Sequence, residues 1–334
     1  MDAGLLAIAA SNSGLITTED VAKAGLTRAC VRWAGENGKL VRLAVGVWSP
    51  RDGWEQLDPR AQHLMKVRAG QHRRPGAVAC AESAAVIHGL PLPGDPPDEP
   101  RMLAARDPSR RGGDGYKGGG LGRRAWLGDD EVERPEDGVR VTTPARTVVD
   151  LARHLPFPWS LAAADAARRF LGTTTSALSQ AADRNPNAPG HPAAVLVAKH
   201  ADGAAESALE SVARGVMIQL ALPLPRLQVE LERGWALYRA DLLVAEHWTV
   251  IEADGKVKYA DDDSTAPGRV WQDKRRRDDL HDWGYEVVRF VMADLNDTRA
   301  WGRLCLRSFE RAYERRGLPI PEWPPLLPAR RRVR

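Results

Sequence analysis

Cysteine is scarce. The chain has three, Cys30, Cys80 and Cys305, far apart and never as a CxxC pair. That argues against a disulfide framework and against a structural zinc module, and it fits a reducing cytoplasm. The first residues, Met1-Asp-Ala-Gly-Leu-Leu6, lack a basic leader region, and their apolar stretch is too short for a signal or a membrane span. No membrane partner is expected. None of the eight histidines stands at metal-ligand spacing from another. Ser207 and Ser211 have no nearby histidine and aspartate pattern, which argues against a serine hydrolase. The glycine-rich stretch at 112–122 is not followed by Lys-Ser or Lys-Thr, so it is not a P-loop. There is no internal repeat.

What is present is ordinary for a soluble protein. The 334 residues are 43% hydrophobic and 28% charged, enough for two or three domains with cores of their own. A net charge of +4 permits nucleic-acid partners without establishing them. Three parts and a tail are expected: residues 1–75, 76–200 and 201–320, then a basic tail over 321–334. The segment 108–122 holds seven glycines and reads as a loop, and Asp183–Gly190 reads as a breaker.

In the first part, Thr17 and Asp20 predict a capped helix that stops at Gly25. Thr27 is placed to cap a second helix running to about Asn37. The short turn between them has helix-turn-helix spacing. Arg28 and Arg32, four apart, share a face of the second helix and suit the DNA major groove. Lys39–Trp48 reads as a hairpin turning near Gly46, with Lys39 and Arg42 placed to reach phosphates. Helix, turn, helix and hairpin describe a winged helix. Residues 1–75 carry 11 basic and 7 acidic side chains, so a charged solvent face explains the arginines as well.

This stretch resembles the N-terminal domain of the AbiEi antitoxins, the repressor halves of type IV toxin–antitoxin systems. The residues that carry the resemblance are Gly14-Leu-Ile-Thr-Thr18, Ala22-Lys-Ala-Gly-Leu26, Arg28, Arg32 and Leu40–Trp48. It extends more weakly through Glu82–Leu90 and Val141–Arg153. A cognate toxin is an implied partner, and winged helices often bind palindromes as homodimers.

The third part holds two carboxylates, Asp241 and Glu252. Thr249-Val-Ile251 reads as a buried strand. Glu252 shares a face with Asp254 and, if the strand continues, with Lys256 and Lys258. Asp241, on the preceding strand, pairs across to meet them. Two carboxylates and a lysine at the end of a hairpin suit a Mg²⁺ site for phosphodiester hydrolysis. A salt-bridge network of these acids with Arg239 or Lys256 is the plain alternative. Glu210 is expected either to pair with Arg214 or to stand beside the metal, with Glu206 as its substitute one turn earlier.

Residues 203–295 resemble the PD-(D/E)xK nuclease superfamily, in its very-short-patch-repair-endonuclease-like branch. The matching pieces are Ser207-Ala-Leu-Glu-Ser211 with Arg214, Leu222-Pro-Leu-Pro225 with Gln228, Asp241, Ile251–Gly255, Lys256–Tyr259, Lys274–Arg277 with Leu280, and Gly284–Arg289. The resemblance implies catalytic roles for Glu210, Asp241, Glu252, Asp254 and Lys256, with Mg²⁺ on Asp241 and Glu252. The pattern's lysine position holds Asp254, and Lys256 stands one strand repeat further on. Lys274 and Arg277, three apart on a helix, suit a DNA backbone. Asp273, Asp278 and Asp279 flank them, and Trp271, Trp283 and Tyr285 are read as core. Arg289 either points into the site or pairs with Asp294.

The expected architecture is therefore α+β and multidomain: an N-terminal winged helix-turn-helix, a mixed α/β middle domain, and a C-terminal restriction-endonuclease-like α/β fold with a central mixed sheet. The expected functions are a duplex-DNA-binding protein with a Mg²⁺-dependent nuclease domain, a non-enzymatic repressor with a silent nuclease fold, or a protein-binding antitoxin.

Overall fold

The computed structural model describes residues 2–104, 127–135, 138–254 and 267–326, with the side chains of 104 and 267–270 left out. The chain divides into two compact units, Met1–His154 and Leu155–Arg334. Helices and strands are mixed throughout, and among the described residues no helix is long and apolar enough to cross a membrane.

The first unit begins with α1 (Ala3–Ser11), β1 (Ile16–Thr17), α2 (Thr18–Lys23) and α3 (Arg28–Glu36). Thr17 caps α2 as its sequence predicts, accepting from Asp20 N at 3.1 Å. Thr27 does not cap α3 through its side chain, which instead lies 3.5 Å from Cys30 Sγ. The hairpin is β2 (Leu40–Ala44) and β3 (Val47–Pro50), turning at Gly46, whose φ of +78° suits glycine. β1 joins it in an antiparallel sheet of order β1-β3-β2. Leu5, Ile8, Val21, Val31, Ala34 and Leu40 form the core under these helices.

Next come α4 (Arg51–Glu55), α5 (Pro59–Arg73), β4 (Ala77–Ala79), α6 (Ala81–Ile87), β5 (Met102–Ala104), β6 (Val132–Glu133), β7 (Val141–Thr142) and α7 (Pro144–Ala152). The second sheet has order β5-β4-β7-β6, with β4 and β7 parallel. The sequence divides the chain near 75 and 200, whereas the packing divides it after His154. Helix α5 supplies one reason. Met65 and Ala69, one turn apart, pack with Leu15 and Val47 of the N-terminal hairpin region. Val67, on the opposite face, packs with Ala79, Ala84 and Val141.

The second unit opens with α8 (Phe157–Phe170), α9 (Thr175–Asp183), α10 (His191–His200) and α11 (Ala208–Leu220). Gly215 of α11 lets α8 approach closely: a Cβ there would stand 2.6 Å from Pro158 Cα. Then follow β8 (Arg226–Arg233), β9 (Ala236–Val244), β10 (Thr249–Ala253), α12 (Pro267–Asp282), β11 (Glu286–Phe290) and α13 (Thr298–Arg315). The sheet order is β11-β10-β9-β8, parallel between β10 and β11 and antiparallel elsewhere, so the sheet is mixed. Leu242, Val244, Ile251, Val288 and Phe290 pack with α11 and α13 through Val212, Met217, Trp301 and Phe309. Ala240, Leu243 and Val250 pack with Leu280 of α12. Both faces are covered, which is why the β10 run is apolar almost throughout.

Candidate functional site

Two regions carry the expected functional residues, one in each unit. In the first, α3 buries Val31 and Ala34 and turns Arg28 and Arg32 to solvent. Neither arginine has an ion-pair or hydrogen-bond partner among the described residues. Trp33 beside them is 56% exposed. Lys39 and Arg42 are exposed at the start of the hairpin, and among the described residues the Arg42 guanidinium meets only the Ala44 carbonyl, at 3.4 Å. The face is basic and free to meet an anionic partner.

In the second region, β9 and β10 bring the two expected carboxylates to adjacent strands. Leu242 pairs with Ile251, so Asp241 comes next to Glu252 in the register. Asp241 Oδ2 accepts from Ala253 N at 3.0 Å. Gln228 falls between the pairs Leu227–Leu242 and Val229–Ala240, with a φ of +50° that interrupts the ladder beside Asp241. Its amide donates to Glu210 Oε2 at 2.8 Å.

Several expected contacts are replaced by others. Glu210 does not pair with Arg214. It closes the N-terminus of α11, accepting from Ser207 Oγ at 2.7 Å and Glu206 N at 3.0 Å. Ser207 Oγ in turn accepts from Glu210 N at 3.2 Å, so the carboxylate is engaged at the entry to its own helix. Arg214 instead holds Asp165 at 2.7 Å. Glu206 precedes the helix rather than lying on it, and bridges Arg169 at 3.0 Å and Arg239 at 2.7 Å. Arg289 pairs with Glu252 at 3.0 Å and Asp273 at 3.3 Å, while Asp294 accepts from Val291 N. Glu252 also lies 2.8 Å from Arg276. Partial burial lowers the Arg289 pKa, but Glu252 and then Asp273 outweigh it, and the net direction is upward. The partners of Glu252 are thus Arg276 and Arg289 rather than Arg239. β10 ends at Ala253, so Asp254 lies beyond the strand, its N–H donating to Phe290 O at 2.8 Å. Lys256 and Lys258 fall outside the described residues, as do the glycine-rich loop and the tail from 327.

The donor set can be tested against Mg²⁺. Glu252 is occupied by two guanidinium groups, Glu210 by three donors and Asp241 by a backbone N–H. Gln228 Oε1 and Glu252 Oε1 are both buried without a hydrogen-bond partner, and Glu252 Oε1 faces Arg276 as an ion pair at 2.8 Å. Among the described residues no three histidine, cysteine, aspartate or glutamate side chains form a metal-binding group. In this arrangement Glu252 faces two arginines, where a divalent cation would need its oxygens open.

On α12, Lys274 and Arg277 are exposed as expected. Trp271, read as core, is 59% exposed. Its neighbour in space is Arg275, which also lies over the ring of Trp235. Sequence reasoning missed Trp235; the Gly234-Trp235 turn between two strand patterns was the available signal.

Comparison with known proteins adds family context. Residues 5–50 match a family model described as transcriptional regulator, AbiEi antitoxin. Two uncharacterized Mycobacterium tuberculosis proteins, MT2308 of strain CDC 1551 / Oshkosh and Rv2248 of strain ATCC 25618 / H37Rv, are each 32% identical over 281 residues. The alignments cover 81% of this chain and 92% of theirs. The crystal structure of the RV2827C protein from M. tuberculosis aligns at 16% identity with a TM-score of 0.38, over 69% of this chain and 87% of that one.

Proposed function

We propose that this chain, which belongs to the same family as the M. tuberculosis proteins MT2308 and Rv2248, is a DNA-binding transcriptional regulator of the AbiEi antitoxin kind. The observation that carries the reading is the pair Arg28 and Arg32. They are exposed and unpartnered on α3, inside the segment that matches the antitoxin regulator model. Residues 1–75 act as a winged helix-turn-helix. α3 enters the major groove of duplex DNA, and Lys39 and Arg42 contact the flanking phosphates. A cognate toxin and a homodimer belong to the same reading.

The test is binding to duplex DNA from upstream of the gene, titrated against salt. Arg28→Ala with Arg32→Ala is expected to weaken binding at least tenfold and to flatten the log–log salt dependence by about two units. An unchanged affinity and slope in that variant would remove α3 from the interface. Co-purification of the product of an adjacent gene tests the toxin partner.

In this reading the C-terminal unit is a nuclease-like fold that does not cleave. The support is the pairing of Glu252 with Arg276 and Arg289, together with the use of Glu210 as a helix cap. A second reading, Mg²⁺-dependent phosphodiester hydrolysis, draws on Asp241 standing next to Glu252 in the strand register. Bound there, the metal would supply an activated water. Glu252 would first have to leave its arginines, and Lys256 would serve the phosphate. Plasmid and short-duplex incubation with Mg²⁺ and Mn²⁺ separates the two. Binding without cleavage is expected. Cleavage lost in both Asp241→Ala and Glu252→Ala would establish the nuclease instead.

A further inference from the structure

We infer that the outward face of α12 and the tip of the β8–β9 hairpin bind an unpaired DNA strand. Bases stack on Trp235 and Trp271, and phosphates meet Lys274 and Arg277. Trp235 sits at the hairpin tip after Gly234 and is 76% exposed. Tryptophan is usually well covered in a folded chain, so two exposed indoles in one place call for a physical reason. Arg275 links them, its guanidinium 4.4 Å from the Trp235 ring centroid and 5.4 Å from that of Trp271. Trp271 and Arg275 are one turn apart on the same helix face, so the contact is built into α12. The guanidinium takes one side of each ring and leaves indole surface open to solvent.

The charge around the indoles selects the partner. The sequence places acids on both sides of Lys274–Arg277, which on paper softens the positive field. In the fold, two of those acids have protein partners: Asp273, though exposed, pairs with Arg289 at 3.3 Å, and Asp279 accepts from the Tyr238 hydroxyl at 2.5 Å. Arg276 turns inward to Glu252. Lys274, Arg275 and Arg277 remain outward and exposed, and of the two exposed acids beside them Asp273 is paired with Arg289 while Asp278 is in no ion pair among the described residues. On the hairpin, exposed Arg233 and Glu232 offset each other. Aromatic faces among cations are the pattern that holds single strands, because every unpaired base offers a π-face and every linkage a phosphate. A duplex hides those base faces in its stack. A protein partner would favour a wider apolar surround, and Leu237 is the exposed aliphatic side chain on the hairpin. The choice of DNA over RNA rests on the DNA-binding function proposed above.

The test uses the full chain and fluorescence anisotropy. The probes are labelled oligothymidylate, an abasic strand of equal length, oligouridylate and a duplex. Trp235→Ala with Trp271→Ala is expected to weaken oligothymidylate binding about tenfold. Duplex binding should stay unchanged, and Trp235→Phe with Trp271→Phe should restore the single-strand affinity. The abasic strand should bind the unaltered protein as weakly as oligothymidylate binds the alanine variant. Arg28→Ala with Arg32→Ala should show the reverse pattern, losing duplex and keeping the single strand, so failure of the regulator reading shows separately. Three results would each overturn the inference: unchanged oligothymidylate binding by the alanine variant, equal binding of the abasic strand, or tighter binding of oligouridylate. The first would leave the indoles to a protein partner.

Discussion

Arg146 and Glu252 are built on the same plan with the signs exchanged. Arg146 lies between two carboxylates, Glu131 at 3.0 Å and Asp150 at 2.9 Å. Glu252 lies between two guanidinium groups, Arg276 at 2.8 Å and Arg289 at 3.0 Å. They differ in their exposure to solvent. The Arg146 side chain is 2% exposed, and its partners are buried with it. Glu252 is 10% exposed, but both its arginines are more than a quarter exposed. In the buried case an ion with a lost partner has no water to turn to. In the other the partners can rehydrate, so the pairing can be exchanged for a ligand. The first cluster holds the fold together, and the second can take part in binding.

That contrast can be broken by experiment. The largest effect is expected from Arg146→Ala, which takes the guanidinium from buried Glu131 and leaves buried Asp150 with Arg153 at 3.6 Å, and should cost about 3–5 kcal/mol in urea unfolding. A loss below about 1 kcal/mol would mean that water reaches the cluster. Replacing the whole cluster by Arg146→Met, Glu131→Leu, Asp150→Leu and Arg153→Met should recover most of that loss. Glu252→Ala should cost about 1 kcal/mol or less, because Arg276 and Arg289 regain solvent. Added salt should shrink the Glu252→Ala difference and leave the Arg146→Ala difference in place.

The smallest expected effect concerns pH in the first unit. Burial tends to raise the Glu82 pKa, but its pairing with His154 and then Arg101 outweighs burial and lowers it. The unfolded chain therefore binds the proton first as pH falls. Stability from Glu82 is present above the ordinary glutamate value of 4.5 and is lost as pH drops through the lower folded value. Glu82→Gln should flatten that part of the stability curve, and an unchanged acid slope would remove Glu82 from it.

Local features were legible in the sequence because their causes lie a few residues apart. Thr17, Gly46 and the apolar Thr249–Ile251 run each signal a cap, a turn or a buried strand within a short window. The partner of Glu252 was not legible, because Arg289 is 37 residues away and becomes a neighbour only through the parallel pairing of β10 with β11. The Glu210–Arg214 pair failed for the opposite reason. The Ser207 partner of Glu210 is three residues back, and that local contact prevailed over the longer i, i+4 reach to Arg214. Trp271 looked like core because an indole is mostly apolar. The hairpin tip that places Trp235 beside Arg275 could not be read from α12 alone.

Helix α5 carries a further consequence. Its two faces serve two hydrophobic clusters, Met65 and Ala69 on one side and Val67 on the other. Melting either cluster unseats the helix that the other needs. The first unit is therefore expected to unfold as one cooperative foldon through Ala152, with amide exchange in α3 and α7 rising together. A fragment cut at residue 75 would carry a helix with one face stripped of its neighbours.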